Sequence, residues 1–249
     1  MNKVNGMIDL SGIEKDIPWL SIFRTVAFIG DSMSSGEIVS RDSNGNNQYN
    51  DYFEYSWGQF MARKFGFVGY NFSRGGMTCR EFLADFGDRN RCFAPERAAQ
   101  AYFVALGIND VNRGVQVGTW ADRENFETFS GQLTALIARY RKIQPRAVFF
   151  LVTMPRGDDS KELREKKAAH RALLHEISAR EKNIYVIDLF EYAPEHDEAF
   201  KRRHYMNGHL TAAGYLLTAE QISRLANQII YERMEEFRMS GFIGTDLTE

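Results

Sequence analysis

The sequence predicts an α/β domain with three layers, in which helices cover both faces of a parallel sheet of five strands. The first observation is a set of five short apolar runs, which suit strands buried on both faces. The second is that helical apolar stripes separate these runs, an alternation that implies right-handed βαβ crossovers. The third is that glycine or polar residues follow the runs. The runs are residues 26–29, 67–72, 101–106, 147–153 and 184–189.

Composition limits the partners that the chain attracts. Its 249 residues, 44% of them apolar, can bury one large core, and no linker rich in Pro, Gly or Ser divides them. With 31 Lys and Arg against 33 Asp and Glu, the formal net charge is -2, which gives no general attraction to nucleic acid or anionic membrane. We expect one domain over residues 1–249, with an N-terminal extension at 1–23 and a C-terminal helix and tail at 211–249.

The N-terminal segment and the two cysteines predict a location. The first 20 residues mix charges with short apolar pairs and lack the apolar core of a signal peptide, and no run is long enough to span a bilayer. Cys79 and Cys92 lack metal-ligand spacing, which favours free thiols. These features predict a cytoplasmic protein without a membrane partner.

The segments in the first half of the chain have local signals of structure. Residues 40–50 are rich in Asn, Gly, Ser and Asp, which predicts an insertion or flexible loop. Residues 51–65 carry aromatic and Met side chains near helical spacing. We expect the first crossover helix there, with an aromatic sugar platform as the sharper alternative. Thr78, followed by Glu81, has the capping-box pattern of a short helix.

The second half of the chain predicts three longer helices. Apolar stripes mark residues 122–142 and the segment from Thr211 onward, while residues 160–182 form a charged amphipathic pattern that opens with a serine N-cap. Residues 191–207 are expected to form a loop, and residues 240–249 a frayed or locally docked tail.

Four polar clusters contain the groups that acyl transfer requires. Ser32 has the hydroxyl of a nucleophile, and His209 is suited to take its proton near neutral pH. The oxyanion of a tetrahedral intermediate needs preorganised donors, which the backbone N–H groups of Ser32 and Gly76 and the side-chain amide of Asn109 would provide. Asp31, beside the nucleophile, is expected to support the turn through side-chain to backbone hydrogen bonds.

In these residues the chain resembles the SGNH hydrolase family, also called GDSL-type esterases and acylhydrolases. Matching blocks occur in family order at residues 30–32, 71–78, 107–110 and 208–210. The resemblance implies a flavodoxin-like sheet with strand order 2-1-3-4-5, and serine esterase chemistry that needs neither metal nor cofactor. It also implies the roles given above for Ser32, Gly76, Asn109 and His209.

One departure from the family pattern concerns the carboxylate that orients the histidine. The family usually has an aspartate three residues before the histidine, where this chain has Met206. In a serine protease triad, a change from Asp to Asn lowers kcat by about 10⁴. The alternatives are Asn207 in place of the acid, a Ser-His dyad oriented by a backbone carbonyl, or a carboxylate from elsewhere. The nearest acidic candidates in the sequence are Asp188, which is expected to hold the loop after the fifth strand, Glu195 and Asp197.

Three functional hypotheses follow. The first is hydrolysis of an ester with a short acyl group on a sugar or other small alcohol, by analogy with the family. The second is a ligand-binding protein with little activity, and the third is acyl transfer to an acceptor other than water. We expect Nδ1 of His209 to have a hydrogen-bond acceptor from a backbone carbonyl or a non-local side chain. An imidazole with no partner there would favour the binding hypothesis. The oligomeric state stays open.

The other histidines do not predict a metal site. His170 and His175 are five residues apart and do not share a helix face as a metal pair would, which predicts surface positions. His196 and His204 lie in the loop before His209, where solvation is the expectation and a place in the pocket wall is the alternative.

Overall fold

A parallel sheet of five strands forms the centre of the computed structural model, which describes residues 18–247 and the backbone of the short antiparallel pair Lys3–Val4 and Met7–Ile8. In chain order the other strands are β1 (Thr25–Gly30), β2 (Glu37–Arg41), β3 (Asn47–Asp51), β4 (Val68–Ser73), β5 (Ala101–Ala105), β6 (Val148–Val152), β7 (Ile184–Ile187), β8 (Tyr205–Met206) and β9 (His209–Leu210). The central sheet has the order β4-β1-β5-β6-β7, with every neighbouring pair parallel. The predicted α/β class and the strand order 2-1-3-4-5 are confirmed.

Helices connect these strands and cover both faces of the sheet. In chain order they are α1 (Ser32–Ser35), α2 (Trp57–Phe65), α3 (Cys79–Glu81), α4 (Gly87–Arg89), α5 (Ile108–Asn112), α6 (Phe129–Ile143), α7 (Lys161–Arg180), α8 (Leu189–Tyr192), α9 (Glu198–His204), α10 (Ala212–Glu232) and α11 (Met234–Phe237). A π-helical turn at Phe82–Phe86 joins α3 to α4, and 3-10 turns lie at Trp19–Ile22, Phe53–Tyr55, Pro95–Arg97, Trp120–Asp122 and Ser240–Phe242. No helix in the described part of the chain is long and apolar enough to cross a membrane.

The side chains of β1 show how the sheet divides the core in two. Val26 and Phe28 pack on one side, in the cluster that contains residues of α2 and α10. Ala27 and Ile29 pack on the other side, with residues of α6 and α7. Successive side chains of a strand point to opposite faces, so a strand that is apolar throughout needs cover on both. The polar residues are therefore left to the loops at the ends of the strands.

The structure contradicts the prediction of a flexible loop at residues 40–50. This segment belongs to an antiparallel hairpin, β2-β3, in which Glu37 is paired with Asp51. The carboxylate of Asp42 closes the hairpin turn by accepting a hydrogen bond from the backbone N–H of Asn46 at 2.9 Å. The polar composition does not distinguish the two structures, because an exposed two-stranded ribbon and a solvated loop both favour polar side chains.

Two helices begin later than the apolar pattern predicts, and the loop at residues 191–207 contains structure. The first crossover helix begins at Trp57 and the helix expected from residue 122 begins at Phe129. In each case a hydroxyl side chain, of Ser56 or Thr128, accepts a hydrogen bond from the first helical turn and sets the start of the helix.

The predicted loop before His209 includes α9 and β8.

Residues of both predicted terminal segments contact the rest of the described structure. In the predicted N-terminal extension, Leu20 is buried and its backbone N–H donates to Oδ1 of Asn227 on α10 at 2.9 Å. In the predicted tail, the carbonyl of Ile243 accepts a hydrogen bond from the side chain of Gln100 at 2.9 Å. Outside the described residues lie 1–2, 5–6, 9–17 and 248–249. A single domain over residues 1–249 stays a prediction.

Removing the predicted cap of α3 should destabilise the fold measurably. The Thr78 hydroxyl accepts from the N–H of Glu81 at 3.1 Å, and the Glu81 carboxylate accepts from the N–H of Thr78 at 3.2 Å. We expect Thr78→Ala to lower the free energy of unfolding by about 1 kcal/mol in urea denaturation. Thr78→Ser keeps the oxygen and is the control. Equal losses in both variants would contradict a capping role.

Candidate active site

Ser32 is presented by a tight turn between β1 and α1. Asp31 is the N-cap of α1, and its carboxylate accepts a hydrogen bond from the backbone N–H of Met33 at 2.9 Å. A Cβ at Gly30 would lie 2.2 Å from Oγ of Ser34, so only glycine leaves room for this turn. The nucleophile candidate is thereby held at the carboxyl end of β1, where open parallel sheets place their ligands.

Three of the predicted site residues line one cavity of about 400 Å³, beyond the carboxyl ends of β1, β5 and β6. Ser32, Asn109 and His209 all contribute to its wall, as does Asp31, whereas Gly76 is not among its lining residues. Within the described residues, Oγ of Ser32 makes no hydrogen bond to His209 or to any other group. Catalytic hydrogen bonds often tighten only when substrate binds, so the shared cavity is the relevant geometry.

The glycine loop after β4 offers an unpaired backbone donor. Gly76 has a φ of +70°, which favours glycine, and its carbonyl accepts a hydrogen bond from Nη2 of Arg113 at 2.8 Å. Between residues 18 and 247, the N–H groups of Gly76 and Ser32 find no acceptor. Unpaired N–H groups at such turns are the donors that an oxyanion hole requires.

The side chain of Asn109 lies between the nucleophile turn and the glycine loop. Its Nδ2 atom is 3.4 Å from Oδ2 of Asp31 and 3.2 Å from the carbonyl oxygen of Met77. Gly107, the N-cap of α5, has a φ of +130° that suits only glycine. Because both amide hydrogens have acceptors at long distances, donation to an oxyanion would replace one of these contacts.

His209 follows a tight turn between β8 and β9. Asn207 and Gly208 have φ values of 50° and 90°, the left-handed backbone of a short hairpin turn. The Asn207 amide donates to the carbonyl of Val39 in β2 at 2.8 Å, which ties the two hairpins together. Nε2 of His209 lies 3.0 Å from Oε1 of Glu37, the first residue of β2. No sequence pattern marks Glu37, because the packing of two hairpins creates this contact.

The expectation of an acceptor at Nδ1 of His209 is wrong. Nδ1 is buried and has no hydrogen-bond partner in the described structure. Burial lowers the pKa of His209, and the nearby backbone of Asn207 only partly opposes that effect. Met206, at the acid position of the family, is 39% exposed. The carboxylate that lies beside the His209 ring belongs to Glu37 on β2, and it contacts the other ring nitrogen, Nε2.

The acidic residues that lie near the predicted base in sequence have other contacts. Asp188 accepts a hydrogen bond from Nε of Arg171 at 2.7 Å and lies 2.9 Å from Nε2 of His175. These contacts hold the start of α8, as the sequence predicts for the loop there. Asp197 caps α9, and Glu195 is exposed. The sequence candidates for the missing carboxylate are therefore structural or solvated.

Two other histidines are placed differently from the prediction. His170, expected at the surface, is fully buried, and burial lowers its pKa to about 4 while Nε2 lies 3.1 Å from the carbonyl oxygen of Leu106. His196, expected to be solvated, lines the cavity, and its Nδ1 lies 2.9 Å from the hydroxyl of Tyr205. A neutral imidazole with a hydrogen-bond partner tolerates burial. Across the described residues, no cluster of three or more His, Cys, Asp or Glu could hold a metal ion.

Two buried carboxyl groups lie beneath the nucleophile turn. Asp31 is 3% exposed, and burial raises its pKa to about 7, with the charge of Asp110 adding to the increase. Asp110 accepts a hydrogen bond from the N–H of Cys79 at 3.0 Å, and burial raises its pKa to about 6. Near neutral pH, Asp31 is therefore close to its titration midpoint, and the turn carries less negative charge than the sequence suggests.

The residues around the cavity lie in a segment that matches a known family. The family model described as GDSL-like Lipase/Acylhydrolase matches residues 28–217, which include Ser32, Asn109 and His209. The chain belongs to this family. As a GDSL-like protein it is a hydrolase that acts on ester bonds. No curated protein matches the chain in sequence.

Solved structures that share the fold of this GDSL-like protein include carbohydrate esterases. A family two carbohydrate esterase from Clostridium thermocellum in complex with cellohexaose has a TM-score of 0.61 and 15% identity, covering 86% of this chain and 65% of that chain. A carbohydrate esterase family 2 enzyme plus carbohydrate binding domain from Corynascus thermopiles (Myceliophthora fergusii) has a TM-score of 0.60 and 16% identity, with coverage of 84% and 67%. A chain described as a possible lipase from Chitinophaga pinensis DSM 2588 has a TM-score of 0.57 and 18% identity, with coverage of 82% and 98%. At these identities the likeness shows a shared fold.

Asp31→Asn should change how stability depends on pH. Because the pKa of Asp31 is raised from 3.8 to about 7, the folded protein keeps a proton that the unfolded chain loses in this interval. Asp31 therefore makes the free energy of unfolding of the wild type fall as the pH rises from 3.8 to about 7. The fall is at most about 1.4 kcal/mol per pH unit. The variant lacks that decrease, while asparagine still caps the helix.

Urea denaturation of both proteins at several pH values between about 5 and 8 measures this difference. The stability of Asp31→Asn relative to the wild type should increase up to about pH 7 and then level off. A difference that is independent of pH would show that Asp31 is not protonated in the folded protein.

Proposed function

We propose that the protein hydrolyses a carboxylic ester through a covalent acyl intermediate on Ser32. The observation that carries this proposal is that Ser32, Asn109 and His209 come from distant parts of the chain and line the same cavity. The unpaired N–H groups of Ser32 and Gly76, on the turns after the neighbouring strands β1 and β4, are further donors. This convergence, in a member of an ester-hydrolysing family, supports nucleophilic catalysis over a purely structural role.

The reaction has two halves. Oγ of Ser32 bonds to the ester carbonyl carbon while its proton passes to His209, and the oxyanion accepts hydrogen bonds from the N–H groups of Ser32 and Gly76 and the amide of Asn109. The bond to the alcohol oxygen then breaks, and the alcohol leaves with the proton from His209. Water attacks the acyl-Ser32 by the same steps, which releases the carboxylic acid and restores the Ser32 hydroxyl. The chain and water supply every group in this sequence.

The proposed substrate carries a short acyl group on a sugar or other small alcohol. The aromatic side chains of Tyr49, Tyr52, Phe53 and Tyr55 are 43–61% exposed, whereas the large apolar residues of α2 pack into the core. The ring of Tyr49 lies edge-on to that of His209, with centroids 6.1 Å apart. Of these four, Tyr49 contacts a residue of the cavity wall, and exposed apolar surface at such a place is a common mark of a ligand site. Several proteins with this fold, including the two named above, are described as carbohydrate esterases, which supports a sugar as the alcohol.

A ligand-binding role is the second candidate, because Nδ1 of His209 lacks the expected acceptor. Family membership and the carboxylate of Glu37 beside Nε2 favour hydrolysis over this role. Acyl transfer to an alcohol would use the same acyl-Ser32 and would appear as partitioning of products when an alcohol is added.

Ser32→Ala should abolish hydrolysis of p-nitrophenyl acetate, because it removes the nucleophile. We expect kcat to fall by about 10³-fold or more, measured by the release of p-nitrophenol. Ser40→Ala, which changes an exposed serine of β2, should keep the wild-type rate. If Ser32→Ala hydrolyses the ester as fast as the wild type, the acyl-serine mechanism is wrong and the binding role is favoured.

Tyr49→Ala should weaken binding of a sugar ester selectively. We expect KM for an acetylated monosaccharide to rise about five-fold, equivalent to ~1 kcal/mol, through loss of an aromatic contact. KM for ethyl acetate, whose alcohol has no ring, should stay within about two-fold. Tyr231→Ala is the control, since Tyr231 is 41% exposed on α10 and packs beside Trp19. Equal changes for both esters would argue against a sugar subsite at Tyr49.

A further inference from the structure

We propose that Glu37 is the carboxylate that supports His209, in the role that the family usually gives to an aspartate where this chain has Met206. The inference rests on the proposed function, in which His209 is the general base. Glu37 acts through the imidazole and not on the substrate, so it is a positioning residue. It comes from β2, the strand that follows the nucleophile helix α1.

The contact between the two side chains is close and largely shielded from water. Oε1 of Glu37 lies 3.0 Å from Nε2 of His209, and the side chains are 10% and 21% exposed. Shielding from water reduces the screening that makes surface pairs weak. The carboxylate therefore stabilises the imidazolium that forms when His209 takes the Ser32 proton. Because Nε2 donates its hydrogen to Glu37, Nδ1 is the ring nitrogen left to take the Ser32 proton, and the positive charge that forms is shared by both nitrogens.

The backbone of Glu37 is held in place relative to the nucleophile by Tyr215. The buried Tyr215 hydroxyl lies 2.8 Å from the carbonyl oxygen of Glu37 and 3.0 Å from that of Ser32. Gly36, between α1 and β2, has a φ of +82°, and a Cβ there would lie 2.4 Å from the carbonyl oxygen of Tyr52. The chain therefore turns back at a glycine. The backbone carbonyl groups of Ser32 and Glu37 both lie within hydrogen-bond distance of the Tyr215 hydroxyl, which fixes the positions of the two residues relative to each other.

The glycine loop provides the space for the carboxylate. A Cβ at Gly75 would lie 2.2 Å from Oε2 of Glu37, so a side chain at this position would clash with the carboxylate. The next residue, Gly76, has the unpaired N–H that we assign to the oxyanion hole. The two glycines thus have separate uses, because one admits the carboxylate of Glu37 and the other donates to the reacting group.

Burial and charge act on this pair in opposite directions. Burial raises the pKa of Glu37, and the charge of Asp51 on the paired strand β3 adds to the increase, whereas burial lowers the pKa of His209. The charge of Glu37 in turn helps to raise the pKa of Asp31 and of Tyr215, and neither of these groups supplies a positive charge. The 3.0 Å contact favours the charged form of each partner. Loss of the Glu37 charge should therefore lower the pKa of His209 further.

Glu37→Gln tests the kinetic part of the proposal. On p-nitrophenyl acetate, we expect kcat to fall at least about 100-fold with KM within about two-fold, because the charge acts on the imidazolium in the transition state. Glu37→Asp keeps the charge and should recover part of the loss. Asp188→Asn is the matched control, since Asp188 is a buried carboxylate that contacts His175 at 2.9 Å and does not line the cavity.

Titration of the His209 ring by NMR gives a readout that does not depend on activity, with His209→Gln used to assign the resonance. We expect the pKa of His209 to fall by about one unit or more in Glu37→Gln and to stay unchanged in Asp188→Asn. The acid limb of the pH profile of kcat/KM should move to lower pH by the same amount, which loss of a merely structural contact would not cause.

The proposal is overturned if the pKa of His209 is the same in Glu37→Gln and the wild type, or if Asp188→Asn lowers kcat as much as Glu37→Gln does. Full recovery of wild-type kcat in Glu37→Gln would also overturn it. If Ser32→Ala proves as active as the wild type, the proposed function fails, and the NMR titration still decides whether Glu37 acts on His209.

Discussion

A buried tyrosine hydroxyl holds together the parts of the candidate active site. Tyr215, on α10, lies within hydrogen-bond distance of the carbonyl oxygens of Ser32 and Glu37. A buried hydroxyl needs a partner, so this contact ties the end of β1, the start of β2 and the last long helix into one arrangement. The same helix packs its apolar residues against α2 and one face of the sheet. The position of the nucleophile turn therefore depends on a helix from the far end of the chain.

Two hairpins outside the central sheet complete the site. The sheet places Ser32 and Asn109 at the ends of β1 and β5, and these positions follow from strand order alone. The hairpin β2-β3 carries Glu37 and the hairpin β8-β9 carries His209, and the amide of Asn207 joins them. Functional groups on connections supported by a rigid scaffold are common in proteins. On our proposal, the first hairpin makes up for the absence of the usual aspartate in the second.

Several carboxyl groups are gathered around the nucleophile at a cost in stability. Burial raises the pKa of Asp31, Asp110 and Glu37, so the folded protein disfavours the charged form of each. Such perturbed groups cluster at functional sites, where the arrangement serves chemistry more than folding. The buried His170 behaves differently, since burial lowers its pKa and its ring contacts the carbonyl of Leu106, directly after β5, without lining the cavity itself.

The sequence by itself determined the features that depend on neighbours along the chain. Apolar runs identified the five strands, the Thr78 capping box was readable from two residues, and the resemblance of four blocks indicated the family and the strand order. Tertiary structure alone decided that residues 40–50 form a hairpin, because a polar ribbon and a polar loop have the same composition. It also turned Asp188 toward Arg171 and brought Glu37 to His209. Contacts between segments far apart in the chain arise from packing, and no local pattern of residues specifies them.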